Sequence, residues 1–181
     1  MGYGDIDFFR FVVSRGGNVN KLERLSITLV DRAASQGNIR MMEAVIETGS
    51  KWNMVSAFCV AAGQGHAHVL SYLLDRGVSI NALPNFESKT QSWIERFGVS
   101  NALGTAAWYG ELETVQWLIE HGADPNARNT IGQTALDIAT KQLDSPTWAR
   151  IRQELLDCIA YLEKLTNVDG EPADSEPQRT I

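Results

Sequence analysis

Three histidines, two cysteines and scattered carboxylates are the residues of this 181-residue chain that could do chemistry. His66-Ala67-His68 has the ligand type for a divalent metal. Side chains two apart on a helix diverge, however, and no cysteine or carboxylate near them in sequence completes a site. Cys59 would act as a nucleophile only beside a base, and no spacing implies one, so a buried thiol is expected. Asp31 and Asp137 would need a second titratable group in a closed pocket to do acid–base work. There is no glycine-rich phosphate loop and no nucleophile elbow. The expectation is no catalytic residue, no metal and no cofactor.

The elements that carry these residues follow a repeat. Gly16, Gly49, Gly77 and Gly122 each close an amphipathic stretch, at spacings of 33, 28 and 45 residues. Gly4, Gly37, Gly65 and Gly110 each stand 12 residues earlier and open the same stretch. The helix between them is therefore constant, and the length variation falls in the connectors, as expected of stacked units. Counting from the opening glycine, position two holds Ile6, Ile39, Ala67 and Leu112, and position five holds Phe9, Met42, Leu70 and Val115. Position eight holds Val12, Val45, Leu73 and Leu118, and position nine holds Val13, Ile46, Leu74 and Ile119. All sixteen are apolar and lie on one helical face.

A first helix precedes each of these second helices except the earliest. It ends in Ala33-Ala34, Ala61-Ala62, Ala106-Ala107 or Ala139-Thr140, small pairs that let neighbouring helices approach. Five residues before each pair stand Thr28, Ser56, Asn101 and Thr134, all of a type that caps helix N-termini. A 33-residue period with this content resembles the ankyrin-repeat family, whose signature is T-P-L-H-x-A. The matching residues are Thr28-Leu29-Val30-Asp31, Ser56-Ala57-Phe58-Cys59, Asn101-Ala102-Leu103-Gly104 and Thr134-Ala135-Leu136-Asp137, all without the histidine and the proline. Gly122-Ala123-Asp124-Pro125-Asn126-Ala127 matches the family's G-A-D-x-N-A, and Gly16-Gly17-Asn18-Val19-Asn20 follows it closely.

The resemblance implies an all-α ankyrin-type solenoid of helix–turn–helix repeats with short hairpin fingers and a long C-terminal capping helix. It covers 1–165 as about four and a half repeats at 1–20, 21–53, 54–85, 99–130 and 131–165, with a finger insertion at 84–98. Ser145-Pro146 suits a helix start. Residues 166–181 are polar, acidic and proline-rich, and are expected to be a disordered tail.

The resemblance also implies a binding surface. In the family the concave face is formed by the fingers and first helices, and the two residues after the small pair face it. Here those residues are Ser35-Gln36, Gly63-Gln64, Trp108-Tyr109 and Lys141-Gln142. Trp108 and Tyr109 have the character of interface anchors. Trp52 in the trimmed finger, with Phe86 and Trp93 in the enlarged one, converges on the same region, and Gln36 and Gln64 would be polar contacts. The expected function is a protein–protein interaction module binding another protein through this face. The alternative is a small-molecule or enzymatic accessory site roofed by 84–98. Self-association through the early half repeat, around Phe9 and Phe11, is a further expectation. The net charge of −6 argues against unaided binding to nucleic acid or an anionic membrane. No stretch suits a signal peptide or a membrane span, so a cytoplasmic or nuclear location is expected.

Overall fold

A computed structural model describes residues 4–16, 29–48, 53–84, 99–145 and 151–167. These residues form α1 (Gly4–Ser14), α2 (Leu29–Ser35), α3 (Ile39–Glu47), α4 (Met54–Ala62), α5 (Ala67–Leu74), α6 (Ala102–Tyr109), α7 (Leu112–Glu120), α8 (Ala135–Leu143) and α9 (Arg152–Asn167). The described residues contain no strand. The first helices α2, α4, α6 and α8 pack side by side in that order. The second helices α3, α5, α7 and α9 each pack on their own first helix, and α1 packs on α3.

The alanine pairs set the spacing of the first helices. Ala34, Ala61, Ala62, Ala106, Ala107 and Ala139 are all 0% exposed. The second helices close the core from one side, and burial sorts their apolar face into a centre and two flanks. Met42, Leu70 and Val115 at position five, with Leu73 and Leu118 at position eight, have no exposed surface. Positions two and nine are half-buried and pack at the margins of the core.

Hydrogen bonding fixes both ends of α5 and α7 and the start of α3. At the opening turn, Asn38, His66 and Glu111 donate their backbone N–H to the carbonyls of Ala33, Ala61 and Ala106, at 2.9, 3.0 and 3.0 Å. At the closing turn, Val78 and Ala123 donate to Leu73 and Leu118, at 3.2 and 2.9 Å. This six-residue loop of hydrogen bonding satisfies the last carbonyls of a helix and needs a left-handed residue just past its end. Gly110 (φ 74°) and Gly122 (φ 92°) supply that conformation.

Asn101 and Thr134 cap α6 and α8 as the sequence predicts, and Thr134 forms a reciprocal capping box with Asp137. Those hydrogen bonds to Thr134 hold the Asp137 carboxyl below its ordinary pKa. Ser56 does not cap α4, contrary to expectation. It is buried within the helix, and Asn53 is the cap, accepting from the N–H groups of Val55 and Ser56 at 2.9 and 3.2 Å. Starting the helix before Ser56 consumes part of the short connector. Thr28 lies outside the described residues, as do 85–98, 146–150 and 168–181, which hold most of the insertion, the proposed start of the last helix and the tail.

The fingers are tied by side chains. Val99 donates to Thr130 Oγ1 at 2.8 Å, and Thr130 returns its N–H to the Val99 carbonyl at 3.2 Å. Buried Asn129 accepts from Ile131 and Gln133 through Oδ1, at 3.0 and 2.8 Å, and shapes the tip of that finger. On the outer side an aromatic residue meets a basic one four residues on in three units: Phe11 with Arg15, Tyr72 with Arg76, and Trp117 with His121. Trp117 is thus stacked on His121 at the end of its own helix at 3.8 Å and packed against the core.

Gly110 and Gly122 separate two costs of substitution. A Cβ at Gly122 would meet nothing within 4 Å, whereas one at Gly110 would stand 3.2 Å from Glu154 Cβ and 3.4 Å from the Leu155 nitrogen. Gly122→Ala should therefore lose about 1–2 kcal/mol, the cost of a left-handed backbone alone. Gly110→Ala should lose more. Chemical denaturation of both variants measures the difference, and equal losses would contradict tight packing of that turn on α9.

Candidate protein-interaction site

The turns that join first and second helices lie along one edge of the stack, and each touches the next. Gly63, the C-cap residue of α4, is buried, and a Cβ there would stand 2.8 Å from Tyr109 Cδ2 and 3.0 Å from Thr105 Cγ2. The Tyr109 ring of the following repeat therefore lies against the bare Gly63 backbone. A Cβ at Gly65 would stand 2.8 Å from Glu111 Oε2. At Gly37 the nearest atoms would belong to His68 and His66, at 3.0 and 3.2 Å.

The two histidines tie the α4–α5 turn to the α2–α3 turn. His66 Nε2 meets the Ser35 carbonyl at 3.0 Å, and His68 Nε2 meets the Gly37 carbonyl at 2.8 Å. A carbonyl oxygen only accepts, so each ring carries a proton on Nε2. Both Nε2 atoms are then committed to the backbone and cannot act together as metal ligands. No group of three or more metal-binding side chains is present among the described residues.

An open groove of about 840 Å³ runs between these two turns. Ser35, Gln36, Asn38, Arg40, Gln64, His66 and His68 supply its polar lining. Gln36 and Gln64, predicted as polar contacts, are brought together in it, and both are exposed. Tyr109 is 38% exposed and stands one repeat further along, over Gly63, while Trp108 beside it is half-buried. Trp52, Phe86 and Trp93 lie outside the described residues. The sequence reading missed Arg40 and both histidines as groove residues. The signal was their position within three residues of an opening glycine, where the second helix starts at the turn edge.

The candidate nucleophile has the wrong environment. Cys59 is buried, its thiol is pushed up to about 12 by desolvation and by the neighbouring Asp31 carboxylate, and it points to the Ser100 carbonyl at 3.8 Å. Cys158 is raised to about 12 as well, by burial first and then by the carboxylates of Asp157, Glu111 and Glu154. Neither is a thiolate near neutrality. No helix among the described residues is long and apolar enough to cross a membrane.

Comparison with known proteins places the repeat. The family model for ankyrin repeats (3 copies) matches residues 30–129, and that for ankyrin repeats (many copies) matches 103–163. An L-asparaginase of Dirofilaria immitis is 35% identical over 137 residues, covering 60% of this chain and 23% of that protein. An ankyrin repeat and SAM domain-containing protein 6 of Danio rerio is 29% identical over 147 residues, 81% of this chain and 16% of that protein. An ankyrin repeat and KH domain-containing protein of Caenorhabditis elegans, mask-1, is 29% identical over 126 residues, 67% of this chain and 4% of that protein. The chain thus spans less than a quarter of the length of each of these relatives. Matches of this kind support a role in protein–protein interaction.

Glu111 offers a test of the turn-to-turn packing. Desolvation at the Gly65 turn raises its pKa above 4.5, His66 opposes that rise, and Glu113 and Glu154 add to it. A carboxylate with a raised folded-state pKa destabilises the folded chain when ionised. The penalty disappears as pH falls through the folded value and then the unfolded one. Glu111→Gln should therefore raise the thermal midpoint at neutral pH, and the gain should vanish below pH 4.5. A midpoint lowered at neutral pH would contradict this placement.

Proposed function

This chain belongs to the ankyrin-repeat family, and from that premise we propose that it binds a protein partner through the edge where its first helices end. The observation that carries the reading is one row of side chains across successive repeats: Gln36 and Gln64 in the groove, then Tyr109 over Gly63. Exposed polar residues beside a rigid aromatic give large contact area at small entropic cost. Tyr109 is held against backbone that no side chain fills, so little is lost in ordering it on binding. Half-buried Trp108 stands beside it in the chain, and the sequence makes Trp52, Phe86 and Trp93 further candidate contacts. On this reading the repeat domain spans 1–165, and the insertion 84–98 is a candidate addition to its binding surface.

Pull-down from the native cell followed by mass spectrometry identifies the partner, and titration calorimetry with the purified partner tests the surface. Tyr109→Ala should weaken binding by about 2 kcal/mol or more, the loss typical of an aromatic anchor. Glu163→Ala, an exposed change on α9, should leave affinity unaltered. Wild-type affinity in Tyr109→Ala would remove the anchor from the account.

A further inference from the structure

Gly63 breaks the pattern of its column. Ser35, Trp108 and Lys141 hold the same place after the small pair in the other repeats, and each carries a side chain. Gly37, Gly65 and Gly110 supply left-handed backbone at the turns. Gly63 does not: it sits at φ −71° and ψ −5°, and donates its N–H to the Cys59 carbonyl at 3.1 Å, as any helical residue does. Alanine would fit that backbone and favours a helix over glycine. What it would not fit is the neighbouring repeat. A Cβ would stand 2.8 and 3.0 Å from Tyr109 Cδ2 and Cε2, and 3.0 Å from Thr105 Cγ2, closer than packed carbon atoms approach. The Thr105 methyl is held in place, because its hydroxyl donates to the Asn101 carbonyl at 2.9 Å.

We propose that Gly63 is a positioning residue, which sets the Tyr109 ring on the binding edge. One repeat offers bare backbone, and the aromatic residue of the next repeat lies over it. The orientation of the ring is thereby fixed by two repeats and not by its own helix alone. The proposal rests on the reading of Tyr109 as an anchor, and adds that Gly63 acts on the partner only through that ring. A ring already held in place loses little freedom on binding. A side chain at 63 would displace it, and the two positions are coupled as residues in contact are.

The test is a set of double-mutant cycles on the whole chain, read first with no partner present. Gly63→Ala should lower the midpoint of chemical denaturation in the wild-type chain. The loss should shrink in a Tyr109→Ala background. It should become a gain in Tyr109→Ala with Thr105→Ser, where the helix preference of alanine remains and both contacts are gone. Nuclear Overhauser contacts between the Tyr109 ring and the Gly63 Hα protons should be present in the wild type, a reading that stands even if Gly63→Ala does not fold. The second reading is calorimetry with the purified protein recovered in the pull-down. Gly63→Ala should weaken its binding about tenfold in the wild-type chain and should have no further effect in Tyr109→Ala. The proposal is overturned by equal losses of stability or of affinity in the two backgrounds, or by the absence of ring contacts to Gly63. Wild-type affinity in Gly63→Ala, with a loss in Tyr109→Ala, would refute the positioning role and leave the anchor standing. Wild-type affinity in Tyr109→Ala would remove the anchor and the proposal together.

Discussion

Close approach of the first helices is the constraint on which the rest of the structure depends. It is made possible by alanine pairs with almost no exposed surface. Helices this short have little stability alone, and burial against neighbours supplies what hydrogen bonding within each helix does not. The same approach carries the turns into contact: His66 and His68 reach the carbonyls of the preceding turn, Tyr109 lies on Gly63, and Gly110 sits against α9. A larger residue in any alanine pair would separate two repeats and would also disturb the edge proposed to bind a partner, because the two share one spacing.

The recurring glycines couple length to geometry. α5 and α7 each open and close with a six-residue hydrogen-bonded loop, so their register against the first helices is fixed at both ends. Variation is confined to the connectors. One of them is shortened by beginning α4 at Met54, and another is enlarged by the 84–98 insertion. At the positions where the family's signature has histidine, this chain makes other contacts. Cys59 contacts the Ser100 carbonyl, and Asp137 closes a capping box. At Gly104 an added Cβ would collide with Ser100 Oγ, so there the bare backbone itself makes the contact.

Much of this was legible in the sequence, because the repeat depends on residue types that backbone geometry restricts. The left-handed glycines, the alanine pairs and the apolar columns predicted the helices and their pairing. The columns did not distinguish the fully buried positions five and eight from the half-buried two and nine, since all are apolar and only packing separates them. Ser56 was misread as a cap because Asn53, three residues earlier, competes for the same role with a side chain equally suited to it. The surface was less legible. Gln36, Gln64 and Tyr109 followed from their place after the alanine pair, but Arg40, His66 and His68 come together only across two repeats. Their place within three residues of an opening glycine was the one local signal, and the contact between the two turns leaves none.

Site-specific photocrosslinking tests the central claim most directly. A benzoylphenylalanine placed at Gln64, in the groove, should crosslink the partner in efficient yield, and one at Ser71, on the exposed side of α5, should not. Crosslinking from Ser71 with none from Gln64 would place the partner on the outer helices and contradict the account.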